Sequence, residues 1–200
     1  MTRAARRVAL GMKPHIGWTA VVALAGPIGS AAVVAKRRID MATTFEEGAV
    51  YHKAQELSLT EAEKLVRSSE EKFERIAHDA LTDLLAELRT VGCEPVRVGV
   101  VAGNHKALPP LASIQKSHAL VHAAEGDLYR RVLLKASEAS RLEAIPIPER
   151  EIEARAAGTL GTDRAQLAIR LSTLGKESGR PWARDQKESA MVALIALADR

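Results

Sequence analysis

The sequence predicts one α/β domain, a mixed sheet with helices on both faces, and three observations carry that reading. An uncharged run from Pro14 to Ala35 is broken in its middle by Gly26-Pro27 and Gly29, with β-branched residues on either side. Two long segments, about 59–90 and 111–140, repeat apolar residues at the spacing of a helix face. Each is followed by a short β-branched run, Val96 to Val101 and Ala144 to Ile147. A hairpin followed by alternating α and β units gives antiparallel strands and then parallel ones in the same sheet.

The first strand is expected at 16–24 and the second, antiparallel to it, at 31–39. An export signal or membrane span is the competing reading of the uncharged run, and its Ala- and Gly-rich composition and central turn argue against it. Ala49-Val50-Tyr51-His52 reads as a short third strand. The helix at 59–90 starts at Ser58 or Thr60, buries Leu65, Phe73, Ile76, Leu84 and Leu88, and stops at Gly92. A buried strand over 96–101 ends in the loop Ala102-Gly103-Asn104-His105-Lys106, and Pro109-Pro110 precede the second long helix. After the strand at 144–147, Pro148 opens a small helix, Thr162-Asp163 cap another, and Asp185 opens the last one, to about 198. The two later strands are expected to be parallel through a right-handed crossover.

Composition narrows the function classes. Aromatic residues are only 3% of the chain, which leaves few rings for a base-stacking platform. The net charge is +4, but Arg3, Arg6 and Arg7 stand at the very start. Setting those three aside brings the 29 basic residues almost level with the 25 acidic ones. A strong generic polyanion binder is therefore not expected. Residues 1–12 read as a disordered basic arm or a mis-assigned start, with 13–200 as the single domain. Cys93 is the only cysteine, so no disulfide can form within one chain, and a reducing, cytoplasmic location is expected. No Gly-rich nucleotide loop and no Gly-x-Ser-x-Gly elbow occurs.

The C-terminal half carries a resemblance. Ala123-Ala124-Glu125-Gly126, the step Pro146-Ile147-Pro148-Glu149-Arg150-Glu151-Ile152, the helix Leu167 to Leu174, and Asp185-Gln186-Lys187-Glu188-Ser189-Ala190-Met191-Val192-Ala193-Leu194 resemble the Holliday-junction resolvase branch of the ribonuclease H-like superfamily. The resemblance implies a ribonuclease H-like mixed sheet and a metal-dependent nuclease acting on structured DNA or RNA. It covers the chain in element order, and at residue level only about 120–198. Nuclease members resemble one another in a carboxylate on strand one, and the matching position here falls near His15 in Lys13-Pro14-His15-Ile16-Gly17-Trp18. They also carry an acid at the end of the fourth strand, where this chain reads Val101-Ala102-Gly103. Asp185 and Glu188 fit acidic positions of the terminal helix. Two-metal cleavage needs several oxygen ligands around cations about 4 Å apart, and this set is too small for it as usually built.

The strongest local constellation is Ser117-His118-Ala119-Leu120-Val121-His122-Ala123-Ala124-Glu125. His118 and Glu125 fall on the stripe of Ile114, Val121, Leu128 and Val132, and His122 is one turn from His118. His-x3-His lets two imidazoles meet one metal. The same groups would also serve as a structural polar network, or stand exposed to solvent at the helix edge. Asp185 is also a natural N-cap, with Glu188 completing a capping box.

Two functions remain open. In the first, a resolvase-like domain acts on or binds structured DNA or RNA. If it is catalytic, a divalent metal (Mg, Mn or Zn) would be held by an altered set of His15, His118, His122, Glu125 and Asp185. His15, His118 and Asp185 would then be the catalytic groups, with His118, His122, Glu125 and Asp185 as metal ligands. His105 would orient substrate, and Lys36, Arg37 and Arg38 would touch phosphates if their strand lies at an exposed edge. In the second, a ribonuclease H-like scaffold without its acids is an interaction or assembly module. A homodimer is compatible with both, a membrane partner with neither. A sugar-kinase or actin-like enzyme ranks last, because its phosphate loops are missing.

Overall fold

In the computed structural model, which describes residues 5–103 and 107–198, the chain enters as strand β1 (Arg6–His15). It turns through Ile16-Gly17 and returns antiparallel as β2 (Trp18–Ala25), with His15 opposite Trp18. Gly17 takes a positive φ of 80°, which a side-chain-bearing residue rarely adopts. A single 3-10 turn leads to β3 (Ala32–Asp40), antiparallel to β2. Two short helices, α1 (Phe45–Gly48) and α2 (Val50–Ala54), precede the 32-residue α3 (Leu59–Thr90). The chain continues through β4 (Cys93–Ala102), α4 (Leu111–Ile114), α5 (His118–Ala139) and β5 (Glu143–Pro148). A 3-10 turn at Glu149–Glu151 and helices α6 (Ile152–Leu160), α7 (Arg164–Ser178) and α8 (Arg184–Ala198) complete it. The sheet order is β3-β2-β1-β4-β5, with β1 parallel to β4 and β4 parallel to β5.

Alternation along the strands separates two cores. Val8, Leu10, Met12, Val21 and Ala23 face α3 and α5. Ala9, Val22 and Leu24 face α6, α7 and α8. The expected mixed sheet with helices on both faces is what the chain forms.

Three expectations need correction. Residues 6–12 are not an arm. They belong to β1, the middle strand of the sheet, and Val8, Ala9, Leu10 and Met12 are buried. A central strand is covered on both faces and reads as a short apolar run without alternation. Here the exposed Arg6 and Arg7 at its start mask that run. The predicted first and second strands are therefore β2 and β3. The predicted third strand at 49–52 is helical. Thr44 accepts from the Glu47 N–H at 3.1 Å, and the Glu47 carboxylate accepts from the Thr43 N–H at 2.6 Å, so α1 starts on a capped turn and α2 follows it. The helix expected over 111–140 is interrupted at Gln115-Lys116-Ser117. Gln115 Nε2 donates to the Ala54 and Leu57 carbonyls at 2.6 and 3.1 Å, and Ser117 begins α5 anew as its N-cap.

Helix α3 starts on a reciprocal Ser58–Glu61 capping box. Among the described residues no helix is long and apolar enough to cross a membrane.

Candidate functional site

Two glycines place the last helix. Gly11 on β1 and Gly99 on β4 are register partners in the sheet. A Cβ on Gly11 would sit 1.8 Å from the Ser189 carbonyl oxygen, and one on Gly99 would sit 2.4 Å from that of Val192. The backbone of α8 thus rests directly on β1 and β4. Ser189 Oγ donates to the Ala20 carbonyl at 3.1 Å and anchors the same turn to β2. The first turns of α8 are thereby held at the carboxyl end of β1. In open α/β sheets the strand carboxyl ends are where ligands bind.

A cleft of about 340 Å³ opens there, lined by Lys13, Ala102, Gly103, Asp127, Arg130 and Glu149 among others. The strand-end residue that reaches Glu149 and Glu188 is Lys13, while His15 meets Asp185. Lys13 Nζ lies 2.7 Å from Glu188 Oε2 and 3.2 Å from Glu149 Oε1. Arg184 closes the ring, with Nε 2.6 Å from Glu188 Oε1 and Nη2 2.8 Å from Glu149 Oε1. Two cations thus face two carboxylates. Burial works to raise the Glu188 pKa, but the hydrogen bonds from Lys13 and Arg184 together outweigh it and hold this carboxyl below its ordinary value. The Arg184 guanidinium is held above its own ordinary value by the same bond. Across the cleft, Asp127 is bound by Arg130 and Arg131.

His15 and Asp185 form a separate pair beside this ring, with Nε2 3.1 Å from Oδ1. The His15 ring stacks on Trp18 at 4.2 Å, and the Arg38 guanidinium covers Trp18 at 3.9 Å. Asp185 is not the N-cap of α8. The Gln186 side chain accepts from the Ala183 N–H at 2.9 Å, and the helix opens one residue before Asp185.

The histidines of α5 gather elsewhere. His118 and His122 are both exposed, so His118 does not lie on the buried stripe. Their Nε2 atoms are 3.0 Å apart. The third member of the group is His52 on α2, which the sequence reading did not select. One ring nitrogen from each of His52, His118 and His122 lies within 4.8 Å of the other two. Glu125 is buried at 1% exposure, as expected, but it stands behind the histidines rather than among them. Its Oε1 accepts from the Tyr51 and His52 backbone N–H groups at 2.7 and 3.2 Å and meets His52 Nδ1 at 3.2 Å. Burial pushes the Glu125 carboxyl up against those bonds. The five residues of the proposed altered set therefore divide in two, with His15 and Asp185 together and His118, His122 and Glu125 gathered around His52.

The basic run lies on β3, an edge strand as the phosphate-contact expectation required. Each member already has an internal partner. Lys36 Nζ donates to the Gly179 and Pro181 carbonyls at 2.5 and 3.3 Å, Arg37 pairs with Glu87, and Arg38 pairs with Asp40 at 2.7 Å. His105 lies outside the described residues.

No family model and no curated protein matches the sequence. Among solved structures, the chain is similar to Thermus thermophilus RuvC in complex with a Holliday junction substrate. The identity is 11% and the TM-score 0.53, over 94% of this chain and 91% of that one. It is similar to a second Thermus thermophilus RuvC structure at 12% identity and a TM-score of 0.53, over the same shares. With its five-stranded mixed sheet, its helices on both faces and its near-complete coverage of RuvC, the chain has the ribonuclease H-like fold.

Proposed function

We propose that this chain is a ribonuclease H-like interaction module that does not cut phosphodiesters at the strand-end cleft. The Lys13 ammonium between Glu149 and Glu188 carries the reading. Two-metal hydrolysis requires free carboxylate oxygens around two cations. In this chain Glu149 and Glu188 are paired with Lys13 and Arg184, Asp127 with Arg130 and Arg131, and Asp185 with His15, while the end of β4 offers Val101, Ala102 and Gly103. The donor set does not fit a pair of hard divalent ions.

A second reading keeps nucleic acid as the partner without cleavage. It is favoured by the likeness, over nearly the whole chain, to a RuvC in complex with a Holliday junction substrate. One experiment tests the first reading and separates the second. The full chain is incubated with labelled four-way DNA junctions and RNA–DNA hybrids in magnesium or manganese, and binding is followed by fluorescence anisotropy across a salt series. No cleavage product is expected. Metal-dependent product that disappears in Asp185→Asn would overturn the proposal. Salt-sensitive binding of the junction selects the nucleic-acid reading, and its absence selects an assembly with protein.

A further inference from the structure

We propose that His52, His118 and His122 form a zinc-class metal site, with three imidazole nitrogens as ligands and water in the fourth position. The group is distinct from the strand-end cleft. It joins α2 to the first turn of α5, one helical turn from Gly126 at the cleft wall.

Four observations support it. His118 and His122 are at i and i+4 of one helix, and their Nε2 atoms stand 3.0 Å apart. Ligand nitrogens around a tetrahedral zinc stand about 3.3 Å apart, given bonds of about 2.0–2.1 Å. The third nitrogen lies within 4.8 Å of both, so closure asks only for a rotamer adjustment by side chains with room to move. Finally, the buried Glu125 carboxylate meets His52 Nδ1 at 3.2 Å. A carboxylate there fixes the imidazole tautomer with Nδ1 protonated, which leaves the Nε2 lone pair for a metal, an arrangement typical of ligating histidines. The other Glu125 oxygen is buried and has no hydrogen-bond partner among the described residues. It belongs to a carboxylate already held by two backbone N–H groups. Such a group is built to orient His52 rather than to ligate.

A single N–H···N bond would account for the His118–His122 contact by itself. It would not account for a third imidazole meeting both rings edge to face, at centroid distances of 5.8 and 4.9 Å, with a buried carboxylate behind it. The two exposed histidines also leave the fourth position open to solvent. Three histidines and a water is the ligand set of catalytic rather than closed structural zinc sites.

The test uses the untagged full chain, stripped with chelator and reloaded with zinc or cobalt. Mass spectrometry counts the metal, and the visible bands of four-coordinate cobalt report its geometry. About one equivalent per chain is expected, with the cobalt bands of a tetrahedral site. His118→Ala and His122→Ala remove exposed side chains, so their fold, checked by far-UV circular dichroism, should be unchanged. Each should lose more affinity than the roughly 10–100-fold that losing an outer-sphere partner costs, and Glu125→Gln should fall within that range. His78→Gln, which removes a histidine that contacts Ser140 instead, should bind as the parent does. Failure of the parent to retain stoichiometric metal overturns the site, as does equal binding by the parent and His118→Ala. Metal content is read without any nucleic acid, so this result stands or falls apart from the cleavage assay.

Discussion

Replacing Lys13 by methionine tests the ion-pair ring directly. The Lys13 side chain is 12% exposed and that of Glu188 11%, so the contact is close to a buried one. At 2.7 Å its gross attraction is on the order of 6 kcal/mol for an effective dielectric near 20. Most of that offsets the several kcal/mol needed to take each ion out of water. Removing one partner of a buried pair typically costs about 3–5 kcal/mol, because the other charge stays behind. Here Arg184 still holds Glu188 at 2.6 Å, and its side chain is 76% exposed. We therefore expect a loss of about 2–3 kcal/mol for Lys13→Met at neutral pH. In a chain of this size that corresponds to a fall in Tm of roughly 5–10 °C. The folded Glu188 pKa lies below its ordinary value of 4.5, so the pair's stabilisation is present above that value and is lost as pH falls through the folded one. The gap between parent and variant should then narrow as pH is lowered from about 6 through the carboxylate range. Urea unfolding followed by circular dichroism measures it, and a cycle with Glu188→Gln should give a coupling of about 1–2 kcal/mol. A loss below about 0.5 kcal/mol at neutral pH, with additive single variants, would refute the reasoning, because a solvated Lys13 behaves that way.

Gly11→Ala and Gly126→Ala should move stability in opposite directions. The first drives a Cβ into the α8 backbone and should cost at least about 3 kcal/mol or prevent folding. The second adds a methyl with nothing within 4 Å, inside helix α5, and should gain about 0.5–1 kcal/mol. Thermal melts of both check this. Tyr129→Phe removes a buried donor to the Gly48 carbonyl, made at 2.8 Å, and should cost about 1–2 kcal/mol in urea unfolding without changing the m-value.

The sequence made the hairpin, α3 and the parallel strands legible because each is specified locally, by periodicity, by a cap or by a turn. It concealed β1 because a central strand carries no alternation and this one begins with two arginines. Nothing local sets Lys13 apart from His15, two residues on in the same strand, as the one that meets Glu149 and Glu188. The helices at 45–54 had a visible signal in Thr44-x-x-Glu47, a capping-box spacing that the strand reading of Ala49 to His52 passed over. The histidine pair on α5 was readable from its spacing. Its third member was not, because His52 lies 73 residues before Glu125 and only tertiary packing of α2 brings it there. The contact of Lys13 with Glu149 spans 136 residues and was equally out of reach of any local pattern.

The two clusters follow from one constraint. Once Gly11 and Gly99 seat α8 on β1 and β4, Glu188 must lie at the strand end, 9% exposed as a whole residue. A carboxylate in that position needs a compensating positive charge, because its solvation is largely lost. A divalent cation and a lysine ammonium are alternative ways to supply it, and they exclude each other, since Lys13 Nζ already stands 2.7 Å from Glu188 and 3.2 Å from Glu149. The imidazole nitrogen donors that suit zinc are found instead where α5 restarts after Gln115, because that break sets His118 and His122 against α2. A metal held by the histidines would leave the ring of Lys13, Arg184, Glu149 and Glu188 undisturbed. A cation held on α5 would therefore supply none of the chemistry that a cation between β1 and α8 would.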